Sequence, residues 1–398
     1  MKVMFLAQRG FNPRAALLGG FSSVLAIYRQ FAKGGHQPIV VAPADRDEEE
    51  KFEGGRIISV KDTFETKAVY KGVLTIASGL IQNLGSIFKL EKFIRQEKPD
   101  LVIFQPSFLA LAAMLIKPLF QNTKFIFRHE DLIANLAGVR RAGRISKFLA
   151  SFLEWYLCFF SDYVFTTQKS QKEGLMQQYG KFGLARSKII VLPYTVNLAF
   201  LASKKGKVKT NAPTAYTFIY VGGMGYRQDI PSFLSLLLPT LRKRKDLKFL
   251  FVGKGLDNDL LAYIRENKLE GSVELRPPVN YNAVPNLINA ADFGLVILKN
   301  DKGLEYSIPS KFIEYLALGK PVLAYGPPGG ELEKAIVEGK VGVFLRKGSD
   351  VEKEIEMLVR NSRSFSDNSS KAVSESNVFK TADVFVDYCE ALLESLQR

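Results

Sequence analysis

Lys311 and Glu314 stand three residues apart in the run Glu305-Tyr-Ser-Ile-Pro-Ser-Lys-Phe-Ile-Glu-Tyr-Leu-Ala-Leu-Gly-Lys-Pro-Val322. Pro309 and Ser310 mark the start of a helix and Gly319 its end, so cation and carboxylate share one face near its N-terminus. Backbone N–H groups at such an end, together with Lys311, can hold phosphate oxygens, and a carboxylate one turn in can accept two ribose hydroxyls. That chemistry suits a nucleoside diphosphate, although a solvated i,i+3 ion pair would use the same two residues. Upstream, Gly222-Gly-Met-Gly-Tyr-Arg227 follows an apolar run and precedes a helix from about Pro231. The Gly222 and Gly223 backbone could cradle a diphosphate that Arg227 neutralises, or Arg227 could be a surface side chain. Leu18-Gly-Gly-Phe-Ser-Ser23 holds the matching place behind the first apolar run and leads into a helix over Val24–Lys33. There Gly19 and Gly20 either admit a phosphate or serve a turn that needs positive φ. The Gly-x-x-x-x-Gly-Lys-Ser/Thr pattern is absent, as is a well-placed Gly-x-Gly-x-x-Gly, which removes support for an ATPase or an ordinary NAD reading. Asp257-Asn-Asp259 looks like an acidic metal motif, but its place before a helical pattern fits N-capping better.

The elements that must hold these loops are short β-branched and aromatic runs alternating with helical patterns, the signature of buried parallel strands. Strands are expected at Lys2–Ala7, Pro38–Ala42, Leu101–Phe104, Lys124–Phe127, Tyr163–Thr166 and Lys188–Leu192. A second set follows at Thr217–Val221, Lys248–Val252, Ser272–Leu275, Phe293–Ile297, Pro321–Ala324 and Gly342–Leu345. Each set suffices for one doubly wound sheet, whose ligands bind at the carboxyl ends of the strands. The polar, basic stretch 202–214 reads as a linker, giving a first domain over 1–201 and a second over 215–380. Ser362–Ser376 reads as an exposed loop, and residues 381–398 as a closing helix able to pack back on the first domain.

Composition sets outer limits. The chain has 398 residues, 47% hydrophobic and 24% charged, with 55 Lys plus Arg against 40 Asp plus Glu, a net charge of +15. Such a chain folds into sizeable cores and favours an anionic partner. Two cysteines and two histidines leave too few ligands for a disulfide scaffold or a cysteine- or histidine-rich metal centre. The uncharged stretch Leu101 to Ile116 is short of a membrane span, and the first residues lack a signal-peptide core. A cytoplasmic protein is expected.

The glycine loops and the 305–322 run, with further strings, resemble the GT-B glycosyltransferases, and within them glycosyltransferase family 4, over nearly the whole chain. Ile308-Pro-Ser-Lys311, Glu314-Tyr-Leu-Ala-x-Gly-Lys-Pro-Val322, the Gly-Gly helix start with Gly35-His36 before the second strand, Lys98-Pro-Asp-Leu-Val102 and Ile190-Val-Leu-Pro-Tyr-Thr-Val-Asn197 carry the resemblance. It implies two Rossmann-like doubly wound parallel-sheet domains facing across a cleft. The implied activity is transfer of a sugar, with retention, from a nucleotide diphosphate sugar to a hydroxyl of a glycan or lipid-linked glycan, in cell-surface polysaccharide or glycoconjugate synthesis. By the same resemblance Glu314 takes the donor ribose, Arg227 and Lys311 its diphosphate with the amides near Ser310, and Gly19 and Gly20 the same phosphates from the other side. His129, in Phe127-Arg-His-Glu-Asp-Leu132, matches a position near the transferred sugar. No cofactor and no metal is implied, since the basic loops neutralise the leaving diphosphate.

The chain departs from the family pattern at four places. Tyr306 takes the place of the first of two paired glutamates, leaving Glu305 one residue early as the candidate for contact with the donor sugar. Gly223 replaces a usual arginine, Tyr194-Thr195 a usual Asn-Gly turn, and Glu130 a usual aspartate after the histidine. A second reading is therefore a catalytically silent GT-B protein that binds a glycan, a nucleotide or a partner glycosyltransferase. The positive charge has another use in Val139-Arg-Arg-Ala-Gly-Arg-Ile-Ser-Lys-Phe-Leu-Ala-Ser-Phe-Leu-Glu-Trp-Tyr-Leu157. Arg140, Arg141, Arg144 and Lys147 precede an aromatic segment that includes Trp155. Such a helix either lies in an anionic leaflet, making the protein peripheral on the inner face of the membrane, or packs its aromatic face on the sheet. No nucleic-acid reading motif is present.

Overall fold

The computed structural model describes residues 1–7, 19–61, 84–130, 132–133, 135, 143–192, 215–255, 258–375 and 382–397. Arg140, Arg141, Tyr194, Thr195, Asp257 and the expected linker 202–214 lie outside them. The described elements run β1 (Lys2–Leu6), α1 (Gly19–Lys33), β2 (Gln37–Ala44), β3 (Glu48–Phe52), β4 (Gly55–Lys61), α2 (Leu84–Glu97), β5 (Leu101–Phe104), α3 (Phe108–Ile116), β6 (Lys124–His129), α4 (Arg144–Phe160), β7 (Tyr163–Thr166), α5 (Lys169–Tyr179) and β8 (Ile189–Val191). They continue as β9 (Tyr216–Val221), α6 (Ile230–Lys243), β10 (Leu247–Val252), α7 (Asn258–Glu266), β11 (Val273–Arg276), α8 (Val284–Ala290), β12 (Phe293–Ile297), α9 (Ser310–Ala317), β13 (Val322–Tyr325), α10 (Glu331–Gly339), β14 (Gly342–Leu345), α11 (Val351–Arg360), α12 (Ser362–Glu375) and α13 (Ala382–Gln397).

The chain forms two compact units, each built on one sheet. The first sheet has the order β3-β4-β2-β1-β5-β6-β7-β8 and the second β11-β10-β9-β12-β13-β14. In each, the chain fills one side of the first strand and then crosses to the other, so a switch point lies between β1 and β5 and between β9 and β12. Crevices for ligands open at such points, beyond the carboxyl ends of the strands. The fold is the expected pair of Rossmann-like α/β domains. One detail is corrected: the first sheet is mixed, because β3 runs antiparallel to β4. Its sequence, Glu-Glu-Glu-Lys-Phe, carries no apolar alternation, and its charges suit an exposed edge.

Two more expectations are corrected. Where a loop is expected over Ser362–Ser376, residues Ser362–Glu375 form α12, packed on α9. It lacks a strong apolar stripe, yet its small side chains allow close approach: a Cβ on Gly319 would lie 3.1 Å from Ser370 Oγ and 3.4 Å from Ser366 Oγ. Helix α1 starts at Gly19 and not at Val24, so Gly19 and Gly20 sit in its first turn. The C-terminal helix α13 belongs to the first unit, where Phe385 packs edge-on against Phe165 at 5.4 Å and Glu390 meets His36 at 2.8 Å. Among the described residues no helix is long and apolar enough to cross a membrane.

Candidate functional site

In the second unit the chain leaves β9 at Gly222, whose φ of 138° lies where a side chain is strained. A Cβ there would also crowd Lys311, 3.2 Å from Cε. The loop after β10 closes on this turn through its backbone: Met224 N–H donates to the Lys254 carbonyl at 2.7 Å, and a Cβ on Gly253 would fall 1.7 Å from the Gly222 oxygen. Gly253 and Gly255 are thus glycines for close packing. Gly223 is different, being exposed with open space around it. The backbone on this side of the switch point is therefore both rigid and approachable.

Helix α9 supplies the opposite side. It begins behind Pro309 without a side-chain cap, leaving its first N–H groups and dipole directed out of the helix. Tyr315 fastens it to β9: its hydroxyl donates to the Ile219 carbonyl at 2.9 Å and accepts from Val221 N–H at 3.1 Å. Gly294 has no room for a side chain because this ring lies on it. Lys320, one residue beyond the helix-ending Gly319, is buried and donates to the carbonyls of Asn289 and Ala291. Its place in the Gly-Lys-Pro-Val string is thereby structural.

Lys311, in the first turn of α9, has its ammonium 4.7 Å from the centre of the Tyr220 ring. Burial lowers its pKa to about 8, with Glu314 opposing the shift and Arg227 adding to it. Arg227 donates to Ser307 Oγ at 3.1 Å, and its carbonyl accepts from Lys299 N–H at 2.7 Å. Glu314 is buried and accepts a hydrogen bond from the Tyr281 hydroxyl at 2.8 Å. The structure therefore brings Gly222, Arg227, Ser310, Lys311 and Glu314 together at the β9/β12 switch point. The desolvated Lys311 and the half-buried Arg227 beside an uncapped helix start form a concentrated field for an anion.

Glu305 stands apart in its contacts. Its carbonyl accepts the first N–H of α10, from Glu331, at 2.7 Å, and its carboxylate takes a hydrogen bond from Tyr306. Burial, then the Glu305 charge, raises the Tyr306 pKa. The residue that replaces the family glutamate thus holds the neighbouring one.

His129 ends β6 in the first unit and is wholly enclosed. Its Nε2 lies 2.8 Å from Glu154 Oε1 on α4, which also accepts from Ile133 N–H at 2.5 Å. Tyr179 donates to the other Glu154 oxygen at 2.7 Å. His129 Nδ1 has no hydrogen-bond partner among the described residues. Arg144, Lys147 and Trp155 lie on α4, and Trp155 Nε1 donates to the Phe182 carbonyl at 3.2 Å.

Family comparisons decide the class. The model described as Glycosyltransferase Family 4 matches residues 19–200, and that described as Glycosyl transferases group 1 matches residues 215–361. The chain belongs to the GT-B glycosyltransferases. This glycosyltransferase matches no curated protein. Its fold is similar to that of sucrose-phosphate synthase from Thermosynechococcus elongatus, with a TM-score of 0.74, 14% identity and 99% of each chain covered. WaaG, a glycosyltransferase involved in lipopolysaccharide biosynthesis, gives a TM-score of 0.69 at 13% identity, covering 97% of this chain and 99% of its own. Anabaena Alr3699/HepE, solved in complex with UDP and glucose, gives 0.68 at 13% identity, covering 99% of this chain and 100% of its own.

Tyr281, Tyr220, Ser307 and Glu154 were not legible as site neighbours. Tyr281 meets Glu314 across 33 positions of sequence and Glu154 meets His129 across 25, distances over which no spacing rule operates.

Proposed function

We propose that this glycosyltransferase moves a hexosyl group from a nucleotide diphosphate sugar to a hydroxyl of a glycan or lipid-linked glycan, with retention and without a metal. The observation that carries the reading is the joining of Arg227, Lys311 and the α9 N-terminus at one switch point, with the Glu314 carboxylate one turn further in. Lys311 and Arg227 bind the diphosphate and oppose the charge that grows on it as the glycosidic bond breaks. Glu314, oriented by Tyr281, accepts the ribose hydroxyls. UDP and glucose in the Anabaena protein support a nucleotide-sugar donor, and the role of WaaG supports a glycoconjugate product. Retention and the cell-surface pathway rest on the family resemblance.

The test is a panel of nucleotide sugars followed by thermal shift and by release of nucleoside diphosphate. A donor at a hundred times its Kd stabilises the fold by about 2.7 kcal/mol. Absence of both signals across UDP, GDP, ADP and TDP sugars refutes the reading. Binding without hydrolysis or transfer favours instead the silent form, which the Glu305–Tyr306 hydrogen bond supports.

A further inference from the structure

Helix α4 turns the usual burial rule around. Its buried face consists of Ser146, Ala150, Glu154, Leu157 and Cys158, so the only carboxylate of the helix points inward. Its outer face carries Ile145, Phe148 and Phe152, exposed by 66%, 68% and 51%. Trp155 and Tyr156 continue that face, with Phe152 5.7 Å from Trp155 and stacked on Tyr156 at 6.4 Å. An aromatic face packed on the sheet, the other arrangement open to this sequence, is not what forms.

The apolar surface extends beyond one helix. Helix α3 packs on both α2 and α4, and exposes Leu115, while α2 exposes Phe88. Phe182, joined to Trp155 through its carbonyl, is also exposed. Patches of this kind mark an interaction site.

Charge selects the occupant. The exposed charges of α4 are Arg144 and Lys147, in its first turn. Lys181 lies over the Phe182 ring at 5.2 Å and Lys188 over Phe159 at 5.9 Å. Residues 108–119 carry no acid, and their one cation, Lys117, pairs with Asp162 at 2.7 Å. Cations interleaved with protruding aromatics match the boundary between anionic headgroups and acyl chains. A second copy docked through the same patch would offer Arg144 and Lys147 no carboxylate of α4 to pair with, since its one acid, Glu154, is buried.

We infer that this α2–α3–α4 face is a docking surface for an anionic lipid bilayer, on which the protein rests without spanning it. The inference does not depend on the donor site. It also gives the chain a built-in reporter, since Trp155 is its only tryptophan.

The experiment is flotation of the full chain with phosphatidylcholine vesicles with and without phosphatidylglycerol, read together with Trp155 emission. Flotation with the anionic vesicles, a blue shift of emission and release by high salt are expected. Phe148→Ser with Phe152→Ser should reduce vesicle partitioning by at least tenfold. Arg144→Glu with Lys147→Glu should reduce it by more than tenfold, since each cation lost near an anionic surface weakens partitioning by about fivefold. Both pairs are exposed, so the thermal midpoint should hold in each. Failure to float with anionic vesicles overturns the proposal, as does undiminished flotation of both variants. A concentration-dependent dimer that Phe148→Ser with Phe152→Ser dissolves would also overturn it, giving the face to a second copy.

Discussion

Glu154 in the first unit and Glu314 in the second are both helix carboxylates buried beside a titratable side chain and a tyrosine hydroxyl. Glu154 has both oxygens engaged by protein donors, from His129, Ile133 and Tyr179, and no exposed surface. Its surroundings are closed, and its charge raises the pKa of Tyr179 and Cys158 beyond what burial does. Glu314 keeps 8% of its surface, and its neighbour Lys311 lies against the Gly222 turn, next to exposed Gly223. The same ingredients thus give a closed network at Glu154 and, at Glu314, one that reaches the β9/β12 switch point, where we propose that the donor binds.

The comparison breaks most visibly at Glu154. Glu154→Ala leaves three buried donors without an acceptor and should destabilise the first unit by about 3–5 kcal/mol, read as a lowered urea midpoint. Wild-type stability in that variant would mean the network is not a structural tie. Glu314→Ala should do the opposite. It should lower kcat/KM for the donor by about tenfold to a hundredfold, from ~1.5–3 kcal/mol of hydrogen bonding to a charged group, while the urea midpoint falls by less than in Glu154→Ala. A large loss of stability there, with unchanged kinetics in the surviving protein, would exchange the two assignments.

Protonation sharpens the contrast further. Lys311 is held at about 8, below its ordinary value of 10.5, so its charge is present at neutral pH and lost as pH rises through 8. On the proposed function a diphosphate binds the charged form and draws its pKa upward, so donor KM should rise by about tenfold between pH 7 and 9. Lys311→Arg should flatten that rise, and a pH-independent KM in the parent would remove Lys311 from the diphosphate. The smallest effect is expected for Tyr281→Phe. Loss of its hydrogen bond to Glu314 should raise donor KM by about twofold to tenfold, from ~0.5–1.5 kcal/mol, with kcat nearly retained. Equal loss in the Glu314→Ala background would show that the tyrosine acts other than through Glu314.

Legibility followed the range of the interaction involved. The strands at Leu101–Phe104, Tyr163–Thr166, Phe293–Ile297 and Gly342–Leu345 lie where their apolar runs place them. Their buried side chains write a local, continuous signal. β3 has no such signal, since charged residues on a sheet edge look like a solvated turn. α12 fails for a related reason: Ser366 and Ser370 matter for their smallness against Gly319, which hydropathy does not record.

The sequence by itself determined the two-sheet α/β architecture, the helix from Ser310 that Gly319 ends, and the one-face placement of Lys311 with Glu314. All of these depend on backbone preferences and periodicities within a few residues. Tertiary structure decided which partners each charge meets and which side of a helix is buried. Glu154 faces inward because His129, Ile133 and Tyr179 wait for it there, and the aromatics of α4 face outward because its small residues fit against the unit. An apolar periodicity shows that a helix has two faces. Only packing, which weighs volume and hydrogen bonding across distant segments, selects the one that is covered.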